Sequence, residues 1–158
     1  MAVIATKEFT FDSAHQLVGH DGKCANLHGH TYRLEVALKD TPIIPEGPKE
    51  GFVMDFGDLK RIVKENIVDK LDHAFIAQGN EPALGQLKES GTKVTELGFR
   101  TTVENMAQFI CWKLDELGVP VHYVRMWETP TGSAIVYLED LKNTNGPVYR
   151  QTGSCELE

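Results

Sequence analysis

The sequence has few cysteines, no long hydrophobic run and a shortage of positive charge. Its 158 residues include only Cys24, Cys111 and Cys155. Three cysteines cannot build a disulfide framework, so the fold must rest on an ordinary apolar core. The longest aliphatic stretch, Ala134-Ile135-Val136-Tyr137-Leu138, is far short of the ~20 apolar residues a membrane span takes. The opening residues Met1 to Glu8 carry neither a basic segment nor an extended apolar one, so no signal peptide is expected. Sixteen Lys plus Arg against 23 Asp plus Glu leave a net charge of −7. That balance lacks the basic footprint of a nucleic-acid binder and the polybasic attraction to an anionic membrane. The expectation is a reduced, cytoplasmic protein of one domain.

Two alternating segments open the chain. Over residues 3 to 15, Phe9, Phe11, Ser13 and His15 share one face of a strand, and Glu8, Thr10 and Asp12 share the other. Residues 16 to 27 read as a loop, with Gly19, Asp21, Gly22 and Asn26. From 28 to 39, His28, His30, Tyr32, Leu34, Val36 and Leu38 face one way, and Arg33, Glu35 and Lys39 the other. Two such segments predict an antiparallel pair. Asp55 or Asp58 can cap a helix that begins near Leu59, with Ile62, Val63, Ile67 and Leu71 on its apolar face. Residues 78 to 100 read as a long, weakly patterned loop in which Ala83 to Glu89 could form a short helix. Thr101 and Glu104 form a capping box ahead of a helix striped with Met106, Phe109, Ile110, Leu114 and Leu117. Val121 to Thr129 and Ser133 to Glu139 alternate around Pro130-Thr131-Gly132, as a hairpin does. The order β-β-α-α-β-β predicts an α+β fold, with two helices on one face of an antiparallel sheet. One domain is expected over residues 1–142, followed by a polar tail over 143–158.

The densest chemistry lies in Cys24-Ala25-Asn26-Leu27-His28-Gly29-His30. His28 and His30 point the same way from a strand. His15 ends the preceding strand on its apolar face, and strand pairing would bring it alongside. Three imidazoles leave a fourth position open, the arrangement of a catalytic zinc; a packed or surface pair of histidines is the plainer alternative. Cys24 could close such a site as a fourth ligand, stand near it as a reactive thiolate, or be a small core residue. Its loop position argues against the core, and spacing does not separate ligand from catalyst. In Asp72-His73, a carboxylate beside an imidazole would fix its tautomer and raise its basicity, though the two can equally be helix-end polar residues. Glu128 falls in phase with Val124 and Met126, and a carboxylate on an apolar face needs a partner. That partner is either a ligand ring donating two N–H groups, guanine-like or pterin, or an ion pair with Arg125 or Lys142. Cys111 and Cys155 read as inert, and His20 and His122 as ordinary loop or surface histidines.

Six motifs in one order carry a resemblance. They are Phe11-Asp12-Ser13-Ala14-His15, Cys24-x-x-x-His28-Gly29-His30-Thr31-Tyr32, Val53 to Lys60, Leu71-Asp72-His73, Thr102-Val103-Glu104-Asn105 and Trp127-Glu128-Thr129. From about Phe9 to Glu139 the chain resembles the 6-pyruvoyl-tetrahydropterin synthase superfamily. Within it the chain looks most like the bacterial 6-carboxy-tetrahydropterin synthase branch of queuosine (7-deazaguanine) biosynthesis. The three-residue spacer between Cys24 and His28 is similar to that branch; the animal pyruvoyl enzymes usually have a longer one. The resemblance implies the T-fold and a homo-hexamer, a dimer of trimers with active sites between subunits. It implies zinc on His15, His28 and His30, with Cys24 as catalytic acid/base and Asp72 and His73 as its proton relay. It implies Glu128 as the anchor of a pterin's amino-pyrimidine edge, with the Thr102 region lining that pocket.

The activity implied is that of a lyase on 7,8-dihydroneopterin triphosphate. Triphosphate leaves, the redox change is internal to the substrate, and carbon–carbon cleavage releases acetaldehyde to give 6-carboxy-tetrahydropterin. Zinc would act as a Lewis acid. So anionic a substrate on an acidic protein predicts a local basic mouth, drawing on Lys23, Lys93 or Arg100. Two alternatives stand beside this one. A 6-pyruvoyl-tetrahydropterin synthase would stop at triphosphate elimination and internal redox. A non-enzymatic zinc module would use Cys24 as the fourth ligand.

Overall fold

Alternation decides the first two strands. β1 (Ile4–His15) and β2 (His28–Lys39) pair antiparallel in unbroken register, from Ile4 opposite Lys39 to His15 opposite His28. The computed structural model describes residues 3–39 and 43–148; Cys155 and the end of the polar tail lie outside them. Asp55, one of the two candidate caps, begins the first helix one turn earlier than the apolar stripe suggests. Its carboxylate accepts from the N–H groups of Gly57 at 2.7 Å and Asp58 at 3.1 Å. Helix α1 (Phe56–Val63) runs through a π-helical turn (Lys64–Val68) into α2 (Asp69–Leu71), burying Leu59, Val63, Ile67 and Leu71.

The stretch read as a long loop carries two regular elements. It follows β3 (Ala74–Ala77) and contains α3 (Leu84–Glu89) and β4 (Val94–Glu96). β3 runs parallel to β1, and β4 parallel to β3. The sheet is therefore mixed, not antiparallel throughout. All four residues of β3 are buried, and a strand covered on both faces shows no alternation to read. After α4 (Val103–Glu116), the hairpin of β5 (Val121–Trp127) and β6 (Ser133–Tyr137) returns to β2, and α5 (Leu138–Asn143) follows. The strand order is β4-β3-β1-β2-β5-β6. Phe11, Tyr32, Leu34, Val36 and Leu38 pack from the sheet against Leu59, Ile67, Met106, Ile110 and Leu114 of the helices. The architecture is α+β. No helix of the described residues is long and apolar enough to cross a membrane.

Candidate active site

Register carries three histidines into one corner. His15 lies opposite His28, and Ser13 opposite His30, at the end of the β1–β2 pair. Their ring centroids are 4.6, 5.1 and 4.9 Å apart. Gly29 separates the two β2 histidines, and a Cβ there would come within 3.1 Å of the Ser13 carbonyl. Two carbonyls fix the tautomers. His15 Nδ1–H donates to Thr101 O at 2.9 Å, and His28 Nδ1–H to Asn26 O at 2.7 Å. Both Nε2 atoms then carry lone pairs, and they face each other at 3.1 Å. His30 Nε2 is buried with no hydrogen-bond partner. The facing lone pairs of His15 and His28 repel one another unless a cation lies between them, and the unpartnered His30 Nε2 lies within 4.8 Å of both. Ligands at ~2.0–2.1 Å on a tetrahedral ion sit roughly 3.3 Å apart, close to the observed 3.1 Å. The donor set fits a metal ion.

Burial also favours the neutral form of His15 and His30. His15 is fully buried and its pKa falls from 6.5 to about 4, through desolvation first and the neighbouring His28 and His30 second, against the pull of the Thr101 carbonyl. His30 is lowered for the same two reasons, burial and then His28. A neutral imidazole is the form that binds metal. For His15 the folded value lies below the unfolded one, so stability is full above pH 6.5 and is lost as pH falls toward 4. The shift corresponds to roughly 3 kcal/mol. Urea unfolding of metal-free protein is expected to show this loss between pH 6.5 and 4.5, with the slope flattened in His15→Gln. An equal slope in that variant would assign the effect to other groups.

Glu128 follows β5 and turns back over the cluster. Its Oε1 is 3.6 Å from both His15 Nε2 and His30 Nε2. The alternative partners are engaged elsewhere: Lys142 pairs with Asp115, and Arg125 donates to Ser133. Burial, with a smaller push from Glu104, raises the Glu128 pKa. Cys24 sits half-buried in a 3-10 turn (Lys23–Ala25) whose backbone is tied to the segment just after β1, where Leu17 N–H donates to Cys24 O at 3.0 Å. Among the described residues its sulfur joins no cluster of metal-binding atoms. Asp72 and His73 gather with Asp12 on the other face of the sheet. His73 Nδ1 is 3.0 Å from Asp72 Oδ2, and Asp12 N–H donates to Asp72 Oδ1 at 2.9 Å. That N–H, then His73 and Lys93, hold the Asp72 carboxyl below its ordinary range. His73 has a φ of 54°, a left-handed conformation stabilised by its own N–H donating to Asp12 O at 2.6 Å.

The helix cap is displaced by one residue from the expected box. Thr102, not Thr101, caps α4, accepting from Asn105 N–H at 3.3 Å. Thr101 is buried and faces His15 instead. Thr102 lines neither of two cavities, of about 540 and 560 Å³, that meet at Gly29, His30 and Thr31. His73 lines the first, and Glu128 and Arg33 the second. The Thr101 and Asn26 carbonyls and the Asp12 N–H and carbonyl are backbone groups, which sequence spacing does not reveal. Arg33 was visible only as an outward residue of an alternating strand. Cys111 is fully buried with its thiol pushed up to about 12, chiefly by desolvation, which suits an inert role.

A family model described as 6-pyruvoyl tetrahydropterin synthase matches residues 4–139. The chain belongs to this family. The 6-carboxy-5,6,7,8-tetrahydropterin synthase of Haemophilus influenzae is 46% identical to this member over 132 residues, covering 80% of this chain and 92% of that one. The protein of the same name from Synechocystis sp. is 36% identical over 133 residues, covering 83% and 90%. The structure of the Caenorhabditis elegans 6-pyruvoyl tetrahydropterin synthase matches with a TM-score of 0.63 at 24% identity, over 87% of this chain and 96% of that one. At that identity the likeness speaks for the fold, which is the T-fold of the family.

Proposed function

We propose that this chain is a zinc-dependent 6-carboxy-5,6,7,8-tetrahydropterin synthase, a cytoplasmic lyase acting on 7,8-dihydroneopterin triphosphate in queuosine biosynthesis. The observation that carries this is the convergence beside Glu128 of the facing Nε2 lone pairs of His15 and His28 with the unpartnered Nε2 of His30, in a chain closely similar to proteins of that name. Zinc on His15, His28 and His30 supplies Lewis-acid polarisation of substrate oxygens when bound. Glu128 accepts the paired N–H groups of the pterin's amino-pyrimidine edge, with the Thr102 region beside that pocket. Asp72 holds the Nδ1–H tautomer of His73, leaving Nε2 to exchange protons. Cys24 is the other proton carrier. Within one chain it joins neither the histidines nor the Asp72–His73 pair. A homo-hexamer, built as a dimer of trimers, supplies the missing proximity from a neighbouring copy.

The three-residue spacer between Cys24 and His28 favours the carboxy product over the pyruvoyl one. A closed structural zinc site is disfavoured, because the Cys24 sulfur stands outside the histidine cluster. Steady-state turnover of metal-loaded protein tests the proposal, read as release of inorganic triphosphate. Glu128→Gln is expected to lower kcat/KM by about 10- to 100-fold, the scale of a lost charge-assisted hydrogen-bond pair, with metal content unchanged. Wild-type kcat/KM in that variant would remove Glu128 as the pterin anchor. Loss of metal would make it a ligand instead.

A further inference from the structure

Arg33 and Trp127 lie directly opposite each other across β2 and β5, on the face of the sheet away from the helices. The Arg33 guanidinium is 3.7 Å from the centroid of the Trp127 ring, and that of Arg125, two residues along β5, is 4.4 Å from it. Among the described residues neither cation has an acidic partner. Glu35, the cross-strand neighbour of Arg125, instead accepts from the Tyr123 hydroxyl at 2.8 Å. A guanidinium held over an indole keeps N–H groups available for an anion; of the two, Arg125 already gives its Nε–H to Ser133 Oγ at 3.2 Å. Two such cations at one spot, in a chain of net charge −7, form a local reversal of sign.

Arg33 and Glu128 line the same cavity of about 560 Å³, to which His30 and Trp127 also contribute. A simple anion there meets the Glu128 carboxylate, and a simple cation meets Arg33. The complementary ligand carries both an N–H-donating ring edge and an anionic tail. The cations expected from the sequence do not take this place. Lys93 donates to the carbonyls of Asp69 and Asp72 at 2.6 and 2.8 Å, and neither cavity is lined by Lys23, Lys93 or Arg100. We propose that Arg33, braced on Trp127 and seconded by Arg125, is the subsite for the polyphosphate tail of a ligand whose ring edge lies at Glu128. This assignment rests on the pterin proposal for the ring, but the anion subsite is separable from it.

The test is calorimetric titration of the metal-loaded full chain with two probes, inorganic tripolyphosphate and phosphate-free 7,8-dihydroneopterin. Metal content is assayed afterwards, so that chelation by tripolyphosphate is seen equally in wild type and variants. Arg33→Gln is expected to weaken tripolyphosphate by about tenfold or more, and Arg33→Gln with Arg125→Gln by more again, while dihydroneopterin affinity stays within about twofold. If Arg33→Gln changes assembly, Arg33→Met, which still covers the Trp127 ring, repeats the comparison. Unchanged tripolyphosphate affinity, or an equal loss of both probes, overturns the subsite. Failure of dihydroneopterin to bind the wild type, alongside Arg33-dependent tripolyphosphate binding, keeps the subsite and overturns the pterin proposal.

Discussion

His30→Ala is expected to leave a folded protein with less than about a tenth of the wild-type bound metal, and with turnover lowered by roughly a thousandfold or more, the scale of a lost Lewis acid. His30 is the informative ligand to remove. Its Nε2 has no hydrogen-bond partner within the protein, so its loss breaks no protein hydrogen bond at that atom. His15 is fully buried and bonded to Thr101, and its replacement would confuse metal loss with damage to the α4 start. Core residues on the same strand face, Tyr32 and Leu34, are fully buried and remain in place. Metal analysis by mass spectrometry, beside a thermal unfolding curve, decides the matter. Full metal content in His30→Ala would mean that the convergence of the three rings is packing and not coordination.

Cys24→Ala carries the second large effect, and it separates two kinds of protein. If Cys24 moves protons during turnover, the variant keeps its metal and its unfolding midpoint and loses about 10²- to 10⁴-fold in kcat. If Cys24 were a structural ligand, metal and fold would go together, because such a metal contributes folding free energy directly. The first result is expected on local grounds. The turn around Cys24 is held by groups that alanine keeps. Leu17 N–H donates to Cys24 O, Ala25 N–H to Gly22 O, and the Gln16 side chain to Ala25 O. The sulfur itself belongs to no ligand cluster among the described residues.

The parts of this fold that were legible are those where one face of an element meets the core and the other meets water. β1 and β2 announce themselves by alternation, and their pairing follows from it. The meeting of His15, His28 and His30 is then a consequence of side-chain period and register alone. Helix α4 was legible for the same reason, through Met106, Phe109, Ile110 and Leu114. β3 was not, because Ala74 to Ala77 is buried on both faces, and a strand of that kind has no period to detect. Without β3 and β4, the pattern describes only the antiparallel part of the sheet and omits the parallel pairs β1–β3 and β3–β4. The cap of α4 was misplaced by one residue, since Thr101 and Thr102 are chemically equal on paper. Tertiary structure separates them: the Thr101 carbonyl is taken by His15, which leaves Thr102 to cap the helix.

Side-chain types marked most of the candidate site, but not its division across the sheet. Asp72 and His73 are adjacent in sequence, and their pairing at 3.0 Å is local. That they lie with Asp12 on the face opposite the histidines depends on where β3 enters the sheet, so spacing could not reveal it. The basic mouth was expected from loop lysines and Arg100. The cation that lines the cavity with Glu128 is Arg33, a strand residue whose outward position made it look like ordinary solvent-facing charge.

One measurement tests the central claim most directly: a product mass spectrum from metal-loaded protein incubated with 7,8-dihydroneopterin triphosphate, with a trap for acetaldehyde. The account predicts 6-carboxy-tetrahydropterin and trapped acetaldehyde in equal amounts, with inorganic triphosphate released alongside. A pyruvoyl-tetrahydropterin product without acetaldehyde, or unchanged substrate from folded and fully loaded protein, would contradict it.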